Sequence, residues 1–200
     1  MKVYLIDDDQ AVLSALKLLL ETVGMEVAAY ADPKVFLSQL PSLSPGCIVL
    51  DIRMPSISGL RLQEQLGELG CEWPVIIITG HGDIDACRKA FKHGAVDFLS
   101  KPIDEQDLID AVQKAFVLLK KVQALAAERA EAANLLGRLT AREREVLELI
   151  TKGFTSREIA DTLGLSPRTV ESHRVHIVAK MGTNSVVELA RILGDGDRST

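Results

Sequence analysis

The sequence predicts a doubly wound α/β domain built on a five-stranded parallel sheet, followed by a smaller, all-helical domain. From residue 2 to about 100, short apolar runs alternate with segments of helical period, as in a parallel sheet covered by helices on both faces. From residue 139 onward the strand signals stop. Four short helical segments follow, separated by glycine-containing turns. A chain of 200 residues is long enough for both domains.

Five apolar runs are the expected strands of the first domain, and they lie at residues 3–6, 27–30, 48–50, 75–79 and 96–99. Helical stretches lie between them at residues 11–23, 33–40, 59–69 and 84–93. Each of the last three begins near a residue that commonly caps helices, namely Asp32, Ser58 or Asp83. The first domain therefore consists of five βα units.

The region after the fifth strand indicates a helical linker. A helical pattern begins at Asp104 and meets no breaker before Gly137, which is longer than one covering helix requires. Eight positions in it follow heptad spacing, and all but Arg129 are apolar: 111, 115, 118, 122, 125, 129, 132 and 136. The pattern fits a tether or a dimer-forming seam. We predict a first domain at 1–118, a linker at 119–137 and a second domain at 138–200.

Composition and charge exclude several classes of protein. Apolar residues make up 47% and charged residues 26%, the ordinary globular mix, and no apolar run approaches the length of a membrane span. A net charge of −5 argues against a wholly basic nucleic-acid or membrane binder. Three cysteines with no close pair indicate neither a disulfide framework nor a zinc site. The acids at residues 7–9 do not fit a signal peptide, so we expect a cytoplasmic protein.

Polar residues collect at the carboxyl ends of the predicted strands, where open parallel sheets bind their ligands. They are Asp7, Asp8, Asp9, Asp51, Thr79, Ser100 and Lys101. Clustered carboxylates repel one another unless a cation joins them, and an oxygen-rich site open to water suits Mg²⁺. A carboxylate beside that metal could attack a phosphoryl group, with Lys101 and Thr79 stabilising its oxygens. Taken singly, each Asp could be only a helix cap and Lys101 only a solvated cation.

Residues 1 to about 118 resemble the receiver domain of the two-component response regulators. The resemblance rests on YLIDDD at 4–9, VLDIRMP at 49–55 with Gly59, ITGHG at 78–82 and GAVDFLSKP at 94–102. It implies a flavodoxin-like fold in which Asp51 accepts a phosphoryl group. It further implies that Asp8, Asp51 and the Arg53 carbonyl bind Mg²⁺ or Mn²⁺, that Asp7 assists through water, and that the peptide bond before Pro102 is cis.

The same resemblance assigns roles to further residues. Thr79 and Lys101 would hold the phosphoryl oxygens, and Phe98 corresponds to an aromatic switch position, although plain packing of an edge strand explains Phe98 equally well. Arg53 and His81 lie two residues after the acceptor and after Thr79, positions that usually tune the lifetime of the phosphoryl group. His81 could alternatively act as a general base.

The second domain carries a helix-turn-helix signal. Residues 163–170, LGLSPRTV, read as a helix end, a tight turn, and a new helix with Ser166 as its cap and Pro167 at its first position. The two helices would span 156–163 and 167–181. Residues 138–200 carry ten basic and nine acidic residues, whereas residues 1–137 carry thirteen and nineteen, so the acidity belongs to the first domain.

The second domain also resembles a known family, the LuxR-type helix-turn-helix, through TAREREVL at 140–147, REIA at 157–160 and SPRTVE at 166–171. Together with the receiver this implies a response regulator of the NarL/FixJ type, nearest the FixJ branch. Glu171, Ser172 and Val175 would then face bases. The residues that would approach phosphates are Arg168, Thr169, Arg174 and Lys180.

We therefore expect a transcription regulator that receives a phosphoryl group on Asp51 from a sensor histidine kinase, dimerises and binds promoter DNA. Apart from this self-phosphorylation and its reversal it would not be an enzyme. RNA polymerase is a further possible partner, and no membrane is expected. Two rivals remain. The chain could be a phosphatase or phosphotransferase that uses Asp51 as its nucleophile, or a constitutive DNA binder whose acidic site is vestigial.

Overall fold

A computed structural model describes residues 1–80 and 84–197 of the chain. Contacts within the chain divide it into two units, one that ends at Val122 and one that begins at Gln123. The first unit contains a five-stranded parallel sheet with helices, and the described part of the second is entirely helical. The predicted fold class is confirmed.

The sheet has the strand order β2-β1-β3-β4-β5, and every neighbouring pair is parallel. Its strands are β1 (Lys2–Ile6), β2 (Glu26–Tyr30), β3 (Gly46–Asp51), β4 (Val75–Thr79) and β5 (Asp97–Ser100). The order reverses between β1 and β3, and ligands of doubly wound sheets bind at such a reversal. Asp7 follows β1 and Asp51 ends β3, so these two of the predicted acidic residues lie at this point.

Helices cover both faces of the sheet. They are α1 (Gln10–Thr22), α2 (Pro33–Gln39), a short 3-10 helix (Leu40–Ser42), α3 (Gly59–Glu68), α4 (Ile84–Lys92) and the first part of α5 (Glu105–Gly137). Asp9, Asp32 and Ser58 cap α1, α2 and α3 by accepting backbone N–H groups. The cap predicted at Asp83 lies outside the described residues.

The two faces of the sheet bury separate apolar clusters. Val3 and Leu5 of β1 pack in one cluster with the buried leucines of α1 and the apolar residues of α5. Tyr4 and Ile6, which alternate with them, pack in the other with apolar residues of α2 and α3. This alternation is expected of a strand covered on both faces. It explains why the predicted strands contain almost only apolar residues.

The second unit contains α6 (Ala141–Thr151), α7 (Ser156–Leu163), α8 (Pro167–Met181) and α9 (Val186–Asp197). Their buried residues form one cluster that also includes Ala132 and Leu136, from the last turns of α5. The end of the stretch predicted as a linker therefore supplies core residues to this unit.

The 33-residue helix α5 differs in burial along its length. Of the heptad positions, Ala111 and Ala115 are buried in the first unit and Ala132 and Leu136 in the second, whereas Leu125 is 52% exposed. The exposed middle of α5 fits both predicted roles, a tether between the units and a dimer-forming seam. Among the described residues, no helix is both long and apolar enough to cross a membrane.

The first turn of α6 buries a charged group. The Thr140 hydroxyl caps the N–H of Glu143, and the Glu143 carboxylate accepts the N–H of Thr140 at 2.8 Å, which completes a capping box. Glu143 is only 3% exposed, and Lys180 Nζ donates to its Oε2 at 2.6 Å. The Lys180 ammonium and the Thr140 N–H lower the pKa of Glu143 to about 2.

Gly59 gives a direct test of the packing around Asp51. A Cβ at Gly59 would lie 2.2 Å from the Asp51 carbonyl oxygen, whereas a Cβ at Gly67 in the same helix would meet nothing within 4 Å. We expect Gly59→Ala to lower the free energy of unfolding by about 1–3 kcal/mol because the backbone must move. Gly67→Ala should leave it unchanged or raise it by about 0.5 kcal/mol. Urea unfolding followed by Trp73 fluorescence measures both, and equal stabilities would contradict the close approach.

The lowered pKa of Glu143 predicts how stability responds to acid. A carboxyl group whose folded-state pKa lies below its unfolded-state value stabilises the protein above the unfolded value and loses that effect as pH falls through the folded one. We therefore expect the stability difference between the wild type and Glu143→Gln to be full above about pH 4.5 and to shrink as pH falls toward about 2. This difference in the free energy of unfolding should not exceed about 3 kcal/mol. It should be smaller than that because solvent at the partly exposed Lys180 screens the interaction.

Urea unfolding followed by helical circular dichroism measures this difference at each pH. Glu131→Gln, at an exposed position of α5 in the same unit, is the control, and its difference from the wild type should stay flat. A Glu143→Gln difference that is equally flat from pH 5 to the acid limit would contradict the prediction.

Candidate functional site

Two nearly buried carboxylates and one ammonium meet at the carboxyl edge of the sheet. Asp7 is 4% exposed and Asp51 is 5% exposed. Lys101 Nζ lies 2.7 Å from Asp7 Oδ2 and 2.8 Å from Asp51 Oδ1. The ammonium thus joins the two acids directly and offsets their repulsion.

The other oxygen of each carboxylate is fixed by a backbone N–H. Asp7 Oδ1 accepts the N–H of Asp9 at 2.8 Å, and Asp51 Oδ2 accepts the N–H of Arg53 at 2.6 Å. Each side chain is therefore held by its own loop and by Lys101. Reactive groups fixed in this way lose little freedom when a ligand binds.

The ends of β4 and β5 place Lys101 in this position. Thr79 pairs with Ser100 in the sheet register, and the Lys101 N–H donates to the Thr79 carbonyl at 2.7 Å. The Thr79 side chain is 2% exposed. The Lys101–Pro102 peptide bond is cis, as predicted. The predicted residues Asp7, Asp51, Thr79 and Lys101 are therefore all at one edge.

Charge and burial act in opposite directions at this edge. Burial raises the pKa of Asp51, and the Lys101 ammonium and the Arg53 N–H partly oppose that shift. Burial tends to lower the pKa of Lys101, but its hydrogen bonds to Asp51 and Asp7 outweigh burial, so the pKa is raised. Lys101 therefore stays cationic, and its charge is available to a ligand of the same site.

The donor atoms at this edge fit a hard divalent cation. Mg²⁺ in proteins commonly uses one or two carboxylates and keeps several waters. Asp7 and Asp51 supply two carboxylates, and the exposed Asp8 follows Asp7 directly. Within residues 1–80 and 84–197, no three acidic, histidine or cysteine side chains converge as a metal cluster. Of the predicted metal ligands Asp7, Asp8, Asp51 and the Arg53 carbonyl, the structure thus brings the carboxylates of Asp7 and Asp51 together at Lys101.

Two of the remaining predicted residues of the first unit, Arg53 and Phe98, lie within the described part of the chain. Arg53 is exposed, and Phe98 is partly buried in β5 and packs against the apolar cluster that contains Tyr4 and Ile6. This burial fits core packing and a switch position alike. His81 lies outside the described residues.

The helix-turn-helix of the second unit has the predicted local chemistry. Helix α7 ends at Leu163 and is capped by Gly164, whose φ of 65° is left-handed and suits glycine. Ser166 then caps α8 by accepting the Thr169 N–H at 3.1 Å, and Pro167 occupies the first turn. The buried residues Val170 and Ile177 face the core.

The opposite face of α8 is free of core contacts. Arg168, Glu171, Ser172 and Val175 are exposed and follow the i, i+3, i+4, i+7 spacing of one helix face. Val175 is 65% exposed. An apolar side chain on a helix face that enters the major groove can contact a thymine methyl group. This face has the form of a nucleic-acid-reading surface.

Several of the predicted DNA-binding residues have partners inside the domain. The Ser156 hydroxyl donates to the Glu171 carboxylate, which ties that residue to α7. Lys180 Nζ donates to Glu143. Arg174 is partly buried, and the Thr169 hydroxyl is hydrogen-bonded to the Ser166 hydroxyl at 2.7 Å.

Sequence reasoning missed several contacts. The sequence does not reveal that Lys101 binds both carboxylates, that Gly59 packs on the Asp51 carbonyl, or that Glu143 holds Lys180. One signal was available, because Thr140 and Glu143 have the spacing of a capping box. That spacing locates Glu143 at a helix start but says nothing of a partner 37 residues away.

Comparisons with known proteins agree with this geometry. Residues 3–113 match the response regulator receiver domain, and residues 137–193 match the bacterial regulatory proteins of the luxR family. Over 190 residues the chain is 40% identical to the response regulator protein TmoT of Ectopseudomonas mendocina, covering 95% of this chain and 86% of that one. It is 41% identical to the transcriptional regulatory protein FixJ of Azorhizobium caulinodans, also over 190 residues, with 95% and 90% covered.

A solved structure of the response regulator StyR superposes with a TM-score of 0.87 at 36% identity and covers 96% of this chain and 98% of its own. Full-length FixJ from B. japonicum gives a TM-score of 0.61 at 36% identity, with 98% and 97% covered. The chain therefore belongs to the response regulators that join a receiver domain to a LuxR-type DNA-binding domain, the NarL/FixJ type.

Proposed function

We propose that this transcriptional regulator is cytoplasmic and takes a phosphoryl group from a sensor histidine kinase onto Asp51, and that phosphorylation promotes dimerisation and promoter binding. The observation that carries the proposal is the Lys101 ammonium held between Asp7 and Asp51, in one chain with an exposed reading face on α8. Phosphoryl transfer needs chiefly alignment and charge neutralisation, and this edge supplies both.

The transfer itself uses the groups at this edge. An oxygen of the Asp51 carboxylate bonds to phosphorus while the bond from phosphorus to the kinase's histidine nitrogen breaks, and that nitrogen keeps the electron pair. Asp7, Asp8, Asp51 and the Arg53 carbonyl would hold Mg²⁺, which would supply positive charge to neutralise the phosphoryl oxygens. Asp51 meanwhile exchanges a carboxylate for an acyl phosphate, so local negative charge rises by about one unit or slightly less.

The added charge would redistribute the contacts of Lys101. Its ammonium now binds Asp51, whereas after transfer the phosphoryl oxygens are the stronger acceptors. Thr79 would move toward the same oxygens, and Phe98 would follow on the neighbouring strand. The altered face formed by α4, β5 and α5 would then favour the dimer as a population shift.

A recess beside the site fits a protein donor. Lys101 borders a cavity of about 260 Å³ whose other lining residues are all apolar: Val12, Ala15, Leu16, Pro102 and Ile103. A small phosphorylated metabolite needs polar groups for orientation, and these residues offer it only Lys101. An apolar recess that borders Lys101 supports docking of a kinase domain rather than turnover of a metabolite.

DNA selection on the purified chain, with and without acetyl phosphate and Mg²⁺, tests the proposal. We expect one sequence class to be enriched, and its affinity to rise about tenfold with the phosphodonor, within the usual range of coupling between two sites. Asp51→Asn should select the same sequence without the rise, because the amide cannot form the acyl phosphate.

Two results would contradict the proposal. Equal affinities of the wild type and Asp51→Asn under phosphodonor would favour a constitutive DNA binder with a vestigial site. Steady hydrolysis of p-nitrophenyl phosphate that is lost in Asp51→Asn would favour the enzyme alternative.

The dependence of DNA affinity on salt concentration can distinguish phosphate contacts from base contacts on α8. We expect Arg168→Ala to weaken binding to all sequences and to lower the slope of log K against log salt by about 0.9, because one phosphate contact is lost. Val175→Ala should leave that slope unchanged and alter the preferred base at one position. Fluorescence anisotropy at several salt concentrations measures both, and an unchanged slope in Arg168→Ala would remove that residue from a phosphate role.

A further inference from the structure

We propose that Arg142 and Glu143, in the first turn of α6, are positioning residues for DNA reading, because they hold the ends of both helices of the helix-turn-helix. In this view Lys180 acts through Glu143 and not on a DNA phosphate, which replaces the sequence-based expectation for Lys180. The inference rests on the DNA-binding part of the proposed function.

Glu143 holds the carboxyl-terminal part of α8. Its Oε2 accepts the Lys180 ammonium at 2.6 Å and the Thr140 N–H at 2.8 Å. Its Oε1 lies 3.8 Å from Nδ1 of His176, which is one turn before Lys180 on the same side of α8. One buried carboxylate therefore contacts two residues of the helix that presents Arg168, Ser172 and Val175.

Arg142 holds the carboxyl-terminal end of α7. Its guanidinium donates to the carbonyl of Leu163, the last residue of α7, and it also pairs with Glu145 of its own helix. The turn that joins α7 to α8 begins directly after Leu163, at Gly164. Two adjacent residues of α6 thus reach both helices, and together they fix how α8 leaves the turn.

Electrostatics supports an internal role for this pair. A carboxylate in a DNA-binding domain repels phosphate, and a buried carboxylate without a partner is strongly destabilising. Glu143 is nearly buried, and the Lys180 side chain is 34% exposed. An ammonium already neutralised by a carboxylate releases few DNA counterions, so Lys180 should contribute little to the salt dependence of binding.

Lys180→Met in the full chain separates this role from a phosphate contact, since methionine keeps an unbranched side chain but has no charge. The second variant combines Lys180→Met with Glu143→Gln. It serves if the single variant folds poorly, because it also removes the buried Glu143 charge that Lys180→Met leaves without its partner. Lys152→Met, at an exposed lysine directly after α6, is the matched control. Helical circular dichroism and urea unfolding establish that each variant is folded before binding is measured.

Binding is measured for a fragment recovered by the DNA selection and for a scrambled fragment of equal length, at several salt concentrations. If Lys180 acts through Glu143, Lys180→Met weakens binding to the selected fragment about tenfold, as expected for a lost charged hydrogen bond. It leaves the scrambled fragment and the salt slope nearly unchanged. Adding Glu143→Gln to Lys180→Met restores stability toward that of the wild type.

A different pattern overturns the proposal. If both fragments weaken equally and the slope falls by about 0.9, Lys180 contacts a phosphate. If Lys180→Met binds both fragments like Lys152→Met, the pair does not position α8. Failure of the wild type to select any sequence would count instead against the proposed function, and the wild-type measurement separates these cases.

Discussion

The contact on which the first unit depends is the bridge from Lys101 to Asp7 and Asp51. The two carboxylates follow neighbouring strands at the reversal of the strand order, so the topology forces them together. Nearly buried like charges are unfavourable without a cation. Lys101 supplies that charge from the far side of β4. The hydrogen bond from its backbone N–H to the Thr79 carbonyl fixes the position of its backbone. A ligand that binds here must therefore compete for or redirect Lys101, whose contacts join the ends of four strands.

Much of the first unit followed from periodicity and from one topological rule. The strand predicted at 96–99 is Asp97–Ser100 in the structure, and the caps at Asp32 and Ser58 are where they were expected. Parallel strands end at one edge, so their terminal polar residues could be grouped without knowledge of any distance. What the sequence could not supply was the partner of each side chain. Gly59 shows why, because its closeness to the Asp51 carbonyl arises only when α3 packs on β3.

The second unit shows the same limit more clearly. Helical spacing alone predicts that Arg168, Glu171, Ser172 and Val175 share one face of α8, and all four are exposed. The pairing of Glu143 with Lys180 joins residues 37 positions apart, on helices whose contact no local pattern encodes. Likewise, the heptad pattern of α5 could not show that Ala132 and Leu136 would enter the core of the second unit. An apolar stripe predicts that a helix face is buried but not which other element packs against it.

These contacts bear on why a DNA-binding chain can carry a net charge of −5. Helix α8 has three basic residues, and the ammonium of Lys180 is already bound by Glu143. Under the proposed roles this would leave Arg168 and Arg174 on this helix for phosphates, so the helix itself would gain little from counterion release. Two weak modules joined in one dimer bind far more tightly than either alone, because the second contact becomes intramolecular. A strongly basic domain would occupy DNA whether or not it dimerised. With a nearly neutral domain, occupancy would depend on dimerisation, which is the step that phosphorylation of Asp51 would control under the proposed function.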